Sequence, residues 1–414
     1  MTLDSKQRTQ ILQAIKKLVL AHHINVAGID HGAWTERVDA QTAELLTTDV
    51  AGFERRVREL LTELKTSHTV FYHSLPKDSL PQHTINASLQ DLLRNGEHKW
   101  MFLDVFEDGP AYVAGIKPGD ILDAVDGTPC LPPATPYFGI GQTHKLLVTR
   151  VGTESAMEIV VEVPKRKGTR QRPPLVEPKS PIHSKIGQNL GLLKITYFPG
   201  AMGMRFATAL DRAVSDLKTQ NCDRLIIDLR GNIGGSLGFA RLASYMCPGQ
   251  IAIGHSLTPK RLRDGYDPRA LPREPMPRNR PELLVTLARY AIRDKSLMLL
   301  TQGLGAQPFH NRIVLLVNEW TNSAAEMVAN FASENRLATL VGQKTHGSVL
   351  GATNFKLAGG YWLRLPVFGW FTSKGRSLEG HGVDPDILVE ISPDALAHGR
   401  DDQMTNAVAI ANAM

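Results

Sequence analysis

The sequence predicts a multidomain α/β protein. Its 414 residues are too many for one ordinary core, and helical, β-rich and alternating β/α patterns follow one another along it. A composition of 42% hydrophobic and 21% charged residues is typical of a globular protein. We expect an N-terminal helical domain over 1–85, a β-rich domain over 86–163, a basic, proline-rich linker over 164–188 and an α/β core over 189–414.

The first domain is predicted to be helical because its apolar residues recur at helical spacing. One stretch contains Ile11 and Ile15, and another runs from Phe53 to Leu64. Asp4 and Asp49 are placed to cap such helices. A Ser-His pair, Ser67-His68, follows the second helix. Taken alone, this histidine is most simply interpreted as a surface residue.

The second domain combines short β-rich runs with a turn-rich segment, Gly109–Pro129. In that segment a small-residue helix leads through the turn Lys117–Asp120 into a strand at Ile121–Val125. This pattern closely resembles a PDZ domain. The resemblance implies peptide binding by strand addition at a sheet edge. A loop for a C-terminal carboxylate would lie near His98–Phe102, where no clear signature is present.

Two basic segments account for much of the net charge of +6. The linker over 164–188 favours a tether between domains over a nucleic-acid contact. The second segment is a basic insertion at 255–300 within the core. It lacks the aromatic interleaving of a nucleic-acid surface and favours a solvated insertion, with a substrate-gating lid as the alternative. We therefore expect no nucleic-acid partner.

Other features limit location and partners. Three isolated cysteines indicate a reduced compartment without disulfides. No run approaches the roughly 18 apolar residues of a membrane span. The first residues lack the pattern of a signal peptide, so the expected location is cytoplasmic. An exported form is an alternative if the sequence lacks its leader. An oligomer is also compatible with the sequence.

A glycine-rich turn follows a buried strand at Asp223–Asp228 and precedes a helix. Phosphate-binding loops have this layout, but neither GxxxxGK[ST] nor GxGxxG is present. The glycines of Leu229–Ser236 allow backbone N–H groups to approach a ligand closely. An oxyanion hole needs such donors, so this interpretation is favoured.

A serine stands where a second buried strand turns into a helix. The strand is Ile313–Val317, polar and small residues follow it, and the helix begins at Ala324. Ser323 is therefore either an N-cap or a nucleophile whose oxyanion would face the first helical turn.

Four motifs occur in a fixed order after the first two domains: DLRGNIGG at 228–235, TNSAAE at 321–326, VGQKTHG at 341–347 and EGHGVDPDI at 379–387. Together with the helical and PDZ-like domains, this order resembles the C-terminal processing, or tail-specific, serine peptidase family, which includes the tricorn core protease. The resemblance covers nearly the whole chain. It implies a crotonase-like α/β spiral core.

The resemblance also implies roles for single residues. Ser323 matches the nucleophile, three residues before Glu326. The glycine-rich turn would give one oxyanion donor, the N–H of Gly235, with Gly234 as second choice. The N–H of Ala324 would be the other donor.

The general base is the point at which this sequence departs from the tail-specific pattern. Those relatives carry a lysine in TFGKG, whereas Ser348 stands at that position here, in THGSV. Lys344 lies four positions earlier and is a poor substitute. The tricorn branch uses a Ser-His pair and a glutamate before GVxPD. The match predicts a tetrad of Ser67, His68, Ser323 and Glu379, with His68 as the base.

The predicted function is therefore a serine endopeptidase that acts on polypeptides, with the PDZ-like domain recruiting or gating substrate. The alternatives are a catalytically silent ligand- or peptide-binding protein on the same core, and a PDZ scaffold. His346 and His381 flank the site without an HExxH motif or a cysteine pair, so we predict no metal and no cofactor.

Overall fold

A computed structural model describes residues 3–73, 78–94, 96–150, 152–153, 155–168, 174–200, 202–292 and 296–414. Its helices in chain order are α1 (Ser5–His22), α2 (His31–Thr47), α3 (Val50–Thr62), α4 (Pro81–Thr84), α5 (Pro110–Val113), α6 (Met204–Thr219), α7 (Gly238–Met246), α8 (Pro259–Asp264), α9 (Arg280–Ile292), α10 (Ala324–Glu334), α11 (Pro393–Ala397) and α12 (Asp402–Ala413).

The strands are β1 (Val70–His73), β2 (Asp78–Ser79), β3 (Ala87–Arg94), β4 (Glu97–Val105), β5 (Ile121–Val125), β6 (Thr128–Pro129), β7 (Phe138–Gly139), β8 (Thr143–Thr149), β9 (Met157–Glu162), β10 (Ile182–Lys185), β11 (Leu190–Lys194), β12 (Arg224–Asp228), β13 (Ala252–Leu257), β14 (Arg273–Pro275), β15 (Leu297–Leu300), β16 (Ile313–Val317), β17 (Thr339–Gly342), β18 (Gly351–Lys356), β19 (Tyr361–Thr372) and β20 (Ile387–Leu388).

The chain divides into two compact units, and the first combines residues 1–76, 249–303 and 347–382. Its sheet has the order β1-β19-β13-β15-β14, and β18 also pairs with β19. The long strand β19 is antiparallel to β1, β13 and β18. Helices α1 to α3 bury their apolar side chains with those of β1 and β19. Within that core Phe71 stacks on Tyr361 with ring centroids 4.9 Å apart.

The predicted N-terminal helices and their caps are confirmed. The Asp4 carboxylate accepts from the Gln7 N–H at 2.7 Å, and Asp49 accepts from the Gly52 N–H at 2.7 Å. Helix α2 was not predicted; its Trp34 is fully buried and donates to the Leu60 carbonyl at 2.8 Å. Among the described residues, no helix has both the length and the apolar character needed to span a membrane.

The basic insertion at 255–300 differs from the expectation of a solvated loop. It contributes β14, β15 and the second half of β13 to the sheet of the first unit, and it buries Leu257, Leu271 and Met298. The charges are concentrated on surface elements such as α8, which has no buried residue. High net charge therefore coexists with a buried strand core in the same segment. Residues 293–295 lie outside the described residues.

The second unit combines residues 77–248, 304–346 and 383–414. One of its sheets has the order β3-β4-β5-β8-β9, and its strands lie within residues 86–163. The strand at Ile121–Val125 is confirmed as β5. Because β4 pairs with both β3 and β5, His98–Phe102 lies in an interior strand and not in a ligand-binding loop. Within the described chain, β3 and β9 stand at the two ends of this strand order, and the two-residue strand β6 pairs with β5.

A second six-stranded sheet of this unit has the order β10-β11-β12-β16-β17-β20, and β2 pairs with β7 in a separate two-stranded sheet. The strands of the six-stranded sheet are parallel except for β10, which is antiparallel to β11. All five residues of β16 are buried, which confirms the predicted buried strand. Ala407 and Ala411 of α12 pack in the core formed by this sheet. Parallel strands place their carboxyl ends at one edge, and the turns after β12 and β16 leave the sheet there.

The predicted linker and domain boundaries also differ from the compact units. Leu175 is buried in the core of the β-rich sheet, and its N–H donates to the His83 carbonyl at 3.0 Å. The later linker residues form β10. The predicted core over 189–414 contributes to both units, because β13 pairs with β15 and β19, and β19 pairs with β1 in the sheet of the first unit. Linker residues 169–173 lie outside the described residues.

Candidate active site

Ser323 is the N-cap residue of α10, directly after the turn that follows β16. Its backbone has φ 55° and ψ −116°, a region that residues with a Cβ rarely adopt. Such a conformation costs on the order of 1–3 kcal/mol and is concentrated at functional sites. The preceding residue, Asn322, donates its N–H to the Asn232 carbonyl at 2.8 Å. The serine turn is therefore tied to the glycine-rich turn.

Glu326 holds the backbone of Ser323 in place. It is fully buried, and its Oε2 accepts the Ser323 N–H at 2.9 Å. Its Oε1 accepts the Thr345 hydroxyl at 2.7 Å, and Thr345 Oγ1 accepts the Val383 N–H at 2.8 Å. A carboxylate in the first turn of α10 also faces the positive end of the helix dipole. The Ser323 N–H is thus committed to a side chain and does not face a substrate.

The glycine-rich turn lies directly against Ser323. A Cβ on Gly234 would stand 2.7 Å from the Ser323 Cβ, and a Cβ on Gly235 would stand 2.2 Å from the Phe198 carbonyl oxygen. The two glycines have φ 89° and φ 137°. Only glycine accommodates this φ and this close approach together.

The amides predicted for the oxyanion hole differ in their partners. The Gly234 N–H donates to Asn232 Oδ1 at 2.8 Å, so it is occupied within the turn. In the part of the chain that the structure describes, the N–H groups of Gly235 and Ala324 make no hydrogen bond. These two amides are the ones that a developing oxyanion could engage.

Arg230 clamps the start of the same turn. Its Nε and Nη2 donate to the two oxygens of Asp228 at 3.0 and 2.9 Å, and its Nη1 donates to Asp401 at 2.9 Å. Burial alone would raise the pKa of Asp228, but the guanidinium outweighs it and lowers that pKa. The Gly231 N–H donates to Asn318 Oδ1 at 3.0 Å, which ties the turn to the end of β16.

The remaining predicted tetrad members lie in the first unit. The Ser67 hydroxyl and His68 Nδ1 are 2.7 Å apart, and the Ser67 N–H donates to Glu379 Oε1 at 2.5 Å. The other oxygen of Glu379 accepts the Val349 N–H at 3.0 Å, and Glu379 is 7% exposed. With its proton on Nδ1, His68 would donate to Ser67 and present an unprotonated Nε2.

A second histidine supports the loop before Ser67. His23 Nε2 lies 2.9 Å from Thr66 Oγ1, and its Nδ1 lies 2.9 Å from His31 Nε2. Burial, and then the neighbouring His31, lower the pKa of His23 to about 4. His23 is therefore neutral at ordinary pH and holds the loop through hydrogen bonds.

The other candidate groups have different surroundings. Lys344 is exposed and pairs with Asp384 at 3.1 Å. His346 is exposed, and His381 Nδ1 lies 2.8 Å from the Glu379 carbonyl oxygen. Across the described ranges, no group of three or more His, Cys, Asp or Glu side chains is arranged to hold a metal ion.

Sequence reasoning missed the roles of Glu326, Thr345 and Asp401. The spacing of Ser323 and Glu326 is that of a capping box, so the bond from Glu326 to the Ser323 N–H had a sequence signal. The contacts of Thr345 and Asp401 join distant parts of the chain, and no local pattern indicates them.

Residues 189–389 match the model of peptidase family S41. A carboxyl-terminal-processing protease of Synechocystis sp. is 26% identical, over 68% of this chain and 57% of its own length. Carboxyl-terminal-processing peptidase 2, chloroplastic, of Arabidopsis thaliana is 25% identical, over 67% of this chain and 47% of its own length. This chain therefore spans about half of the curated relatives that it matches.

Solved structures show the same fold along nearly the whole chain. The photosystem II D1 C-terminal processing protease superposes with a TM-score of 0.57 at 16% identity, covering 94% of each chain. Mature CPAF superposes with a TM-score of 0.61 at 14% identity, covering 100% of this chain and 99% of the other. These likenesses show a mixed, multidomain α/β fold.

Proposed function

Because residues 189–389 match the model of peptidase family S41, we propose that this protein is a serine endopeptidase that cleaves polypeptides through an acyl-enzyme on Ser323. One observation carries the proposal. Ser323 has a strained backbone against the Gly234–Gly235 turn, and the nearby amides of Gly235 and Ala324 have no acceptor within the described residues. Uncommitted amides beside a strained serine are the parts that an acyl transfer needs.

In the proposed mechanism, Ser323 Oγ attacks the carbonyl carbon of the scissile bond while His68 takes its proton. The amides of Gly235 and Ala324 donate to the oxyanion of the tetrahedral intermediate. His68 then protonates the leaving amine, which leaves an ester on Ser323. His68 then takes a proton from a water molecule, which attacks the ester carbonyl. As the ester bond breaks, His68 returns the proton to Ser323 Oγ and the carboxylic acid product leaves.

Two observations favour His68 over a lysine as the base. Ser67 Oγ lies 2.7 Å from His68 Nδ1, and Glu379 accepts the Ser67 N–H, so the imidazole of His68 is oriented through its Nδ1 side, as a base in a triad requires. Lys344 is exposed and paired with Asp384 at 3.1 Å, so it does not lie in apolar surroundings. A lysine base requires the opposite environment, which lowers its pKa.

The β-rich sheet is proposed to be the PDZ-like domain, and the parallel sheet with its helices the crotonase-like core. Strand β3 is an edge of the β-rich sheet, so a substrate strand would add there. Leu93 on this strand is 64% exposed, which fits a surface open to a partner. This arrangement would recruit long substrates to the enzyme.

A fluorophosphonate probe followed by peptide mapping tests the proposal directly. The probe should label Ser323, and Ser323→Ala should lose both labelling and hydrolysis of casein while keeping its fold by circular dichroism. Ser333→Ala, on the same helix, is the matched control and should keep both activities.

The catalytically silent binding protein is the other candidate. It keeps its ligand affinity in Ser323→Ala and shows no labelling in the unmodified chain. Wild-type turnover in Ser323→Ala would reduce this serine to a helix cap and end the proposal.

A further inference from the structure

The inference concerns the start of the C-terminal helix and rests on the proposed function. Asp401 is the N-cap of α12, where its Oδ1 accepts the Met404 N–H at 2.9 Å. The same carboxylate meets Arg230, with Nη1 at 2.9 Å from Oδ1 and Nη2 at 2.8 Å from Oδ2. One side chain therefore fixes both the first turn of the helix and the arginine of the glycine-rich turn.

Arg230 has its donors divided between two carboxylates. Asp228 takes Nε and Nη2, and Asp401 takes Nη1 and Nη2. Gln403 adds an acceptor for Nη1 at 3.2 Å. Burial by itself would lower the pKa of Arg230, but Asp228 and Asp401 raise it well above its ordinary value. The guanidinium thus stays charged, and its side chain is only 12% exposed.

The arginine in turn fixes the backbone that leads to Gly235. Its own N–H donates to Asp228 Oδ1 at 3.1 Å, and the next amide, Gly231, donates to Asn318. Two residues of this turn, Asn232 and Gly234, are joined by their own hydrogen bond. A shift of Arg230 would therefore move the Gly235 N–H. A displaced donor contributes much less to stabilising the oxyanion in the transition state.

We propose that Asp401 is a positioning residue for the oxyanion hole, acting through Arg230 on the turn that carries Gly235. It touches neither the substrate nor the reacting atoms. Its effect is on the transition state, in which the oxyanion carries full charge, and much less on substrate binding.

Asp401→Ser separates the two roles of this residue. Serine is as good an N-cap as aspartate, so α12 should keep its start, but the charge that holds Arg230 is lost. We expect kcat per fluorophosphonate-titrated site to fall about tenfold, the loss expected for one charge-assisted hydrogen bond, with KM nearly unchanged. The inhibition constant of a peptide aldehyde, whose hemiacetal oxygen occupies the oxyanion hole, should rise by the same factor. Asp401→Asn should fall between the wild type and Asp401→Ser.

Asp402→Asn is the matched control. Asp402 lines the same cavity of about 110 Å³ as Arg230 and Asp401, and its substitution removes the same charge from the same end of the helix, but it pairs with Arg400. The kcat of this variant should stay near that of the wild type. Equal losses in Asp401→Ser and Asp402→Asn would show a general charge effect and overturn the proposal, and so would an unchanged aldehyde inhibition constant in Asp401→Ser.

Hydrogen exchange separates this proposal from the proposed function. Amides within 229–235 should exchange faster in Asp401→Ser than in Asp402→Asn, whether or not the wild type hydrolyses peptides. Faster exchange in a chain without peptidase activity would support the role of Asp401 in holding Arg230 and would contradict only the proposed enzymatic function. Unchanged exchange would show that Asp401 does not hold the turn through Arg230 and would overturn the proposal.

Discussion

At the scale of single residues, the candidate site depends on backbone conformation as much as on side-chain chemistry. Ser323 has a positive φ although it carries a Cβ, and Gly234 packs where any Cβ would meet it at 2.7 Å. The serine hydroxyl and the turn amides are thus held by backbones that few sequences allow.

Gly234→Ala should therefore destabilise the fold and lower turnover together. The added methyl meets Ser323, and the positive φ adds strain, so we expect a loss of about 1–3 kcal/mol in the free energy of unfolding. Gly200→Ala is the control, because Gly200 has a similar φ of +82° and its added methyl would meet no described atom within 4 Å. Urea unfolding and kcat/KM should show a larger loss for Gly234→Ala in both measurements; equal losses would mean that φ alone matters.

The choice of base gives a second prediction at this scale. His68→Ala should lower kcat by about 10⁴ or more, the size seen when a triad base is removed. Lys344→Ala should cost little, because its side chain is exposed and paired with Asp384. Steady-state kinetics on a fluorogenic peptide measure both variants. Activity that survives the histidine change and disappears with the lysine change would favour a serine–lysine dyad.

At the scale of elements, the junction of α1 and α2 makes stability depend on pH. The pKa of His23 is about 4 in the folded protein, against 6.5 ordinarily. The unfolded chain binds more protons between these values, so the stabilisation is full above pH 6.5 and is lost as the pH falls towards 4. When the pH is lowered from 7 to 5, the free energy of unfolding should fall by about 2 kcal/mol less in His23→Gln than in the wild type.

Urea unfolding at the two pH values measures this difference. Burial also lowers the pKa of His255 to about 4, and His255 is unchanged in the variant. The variant should therefore keep a pH-dependent loss of stability about as large as the loss that was removed with His23. An identical slope in wild type and His23→Gln would show that His23 does not titrate differently on folding.

The elements that could be predicted were those with a strong local pattern. β16 is apolar throughout, and α3 has apolar residues at helical spacing, so both are evident in the sequence. Helix α2 was missed because it buries only Trp34, Val38 and Leu45 among polar neighbours. The strands of the basic insertion have a weak sequence signal, because their apolar runs are short and stand among many charged residues.

The candidate site divides in the same way. Ser323 and Gly235 belong to motifs that can be recognised locally. Their roles as nucleophile and oxyanion donor stay predictions. The bond from Thr345 to Glu326 and the bond from Asp401 to Arg230 depend on parallel strands and a terminal helix meeting at one sheet edge. That meeting is a property of the topology, and residue spacing does not encode it.

At the scale of the whole molecule, the β-rich sheet and the parallel sheet belong to the same compact unit. Trp320, three residues before Ser323, packs with Met101, Leu103 and Ile121 of the β-rich sheet. Deleting that sheet would expose Trp320 and disturb the turn that carries Ser323. A test of substrate recruitment must therefore keep the domain in place.

Competition provides such a test. A peptide with the C-terminal sequence of a long unstructured substrate, and lacking its cleavage site, should inhibit cleavage of the long substrate. It should leave kcat/KM for a short fluorogenic peptide nearly unchanged, because only the long chain gains affinity from a second contact. Equal inhibition of both substrates would mean that the peptide binds the catalytic cleft and that the recruitment proposal is wrong.

The bond from the Ser67 N–H to Glu379 joins residues that are 312 positions apart. During synthesis at ~5–20 residues per second, Ser67 waits roughly 15–60 s for this partner to be made. Strand β1 waits similarly for β19, its partner in the sheet. On the ribosome, the loop that carries His68 has no Glu379 to support it. If His68 acts as the proposed base, peptidase activity would therefore not begin before Glu379 has been synthesised, without a separate inhibitor.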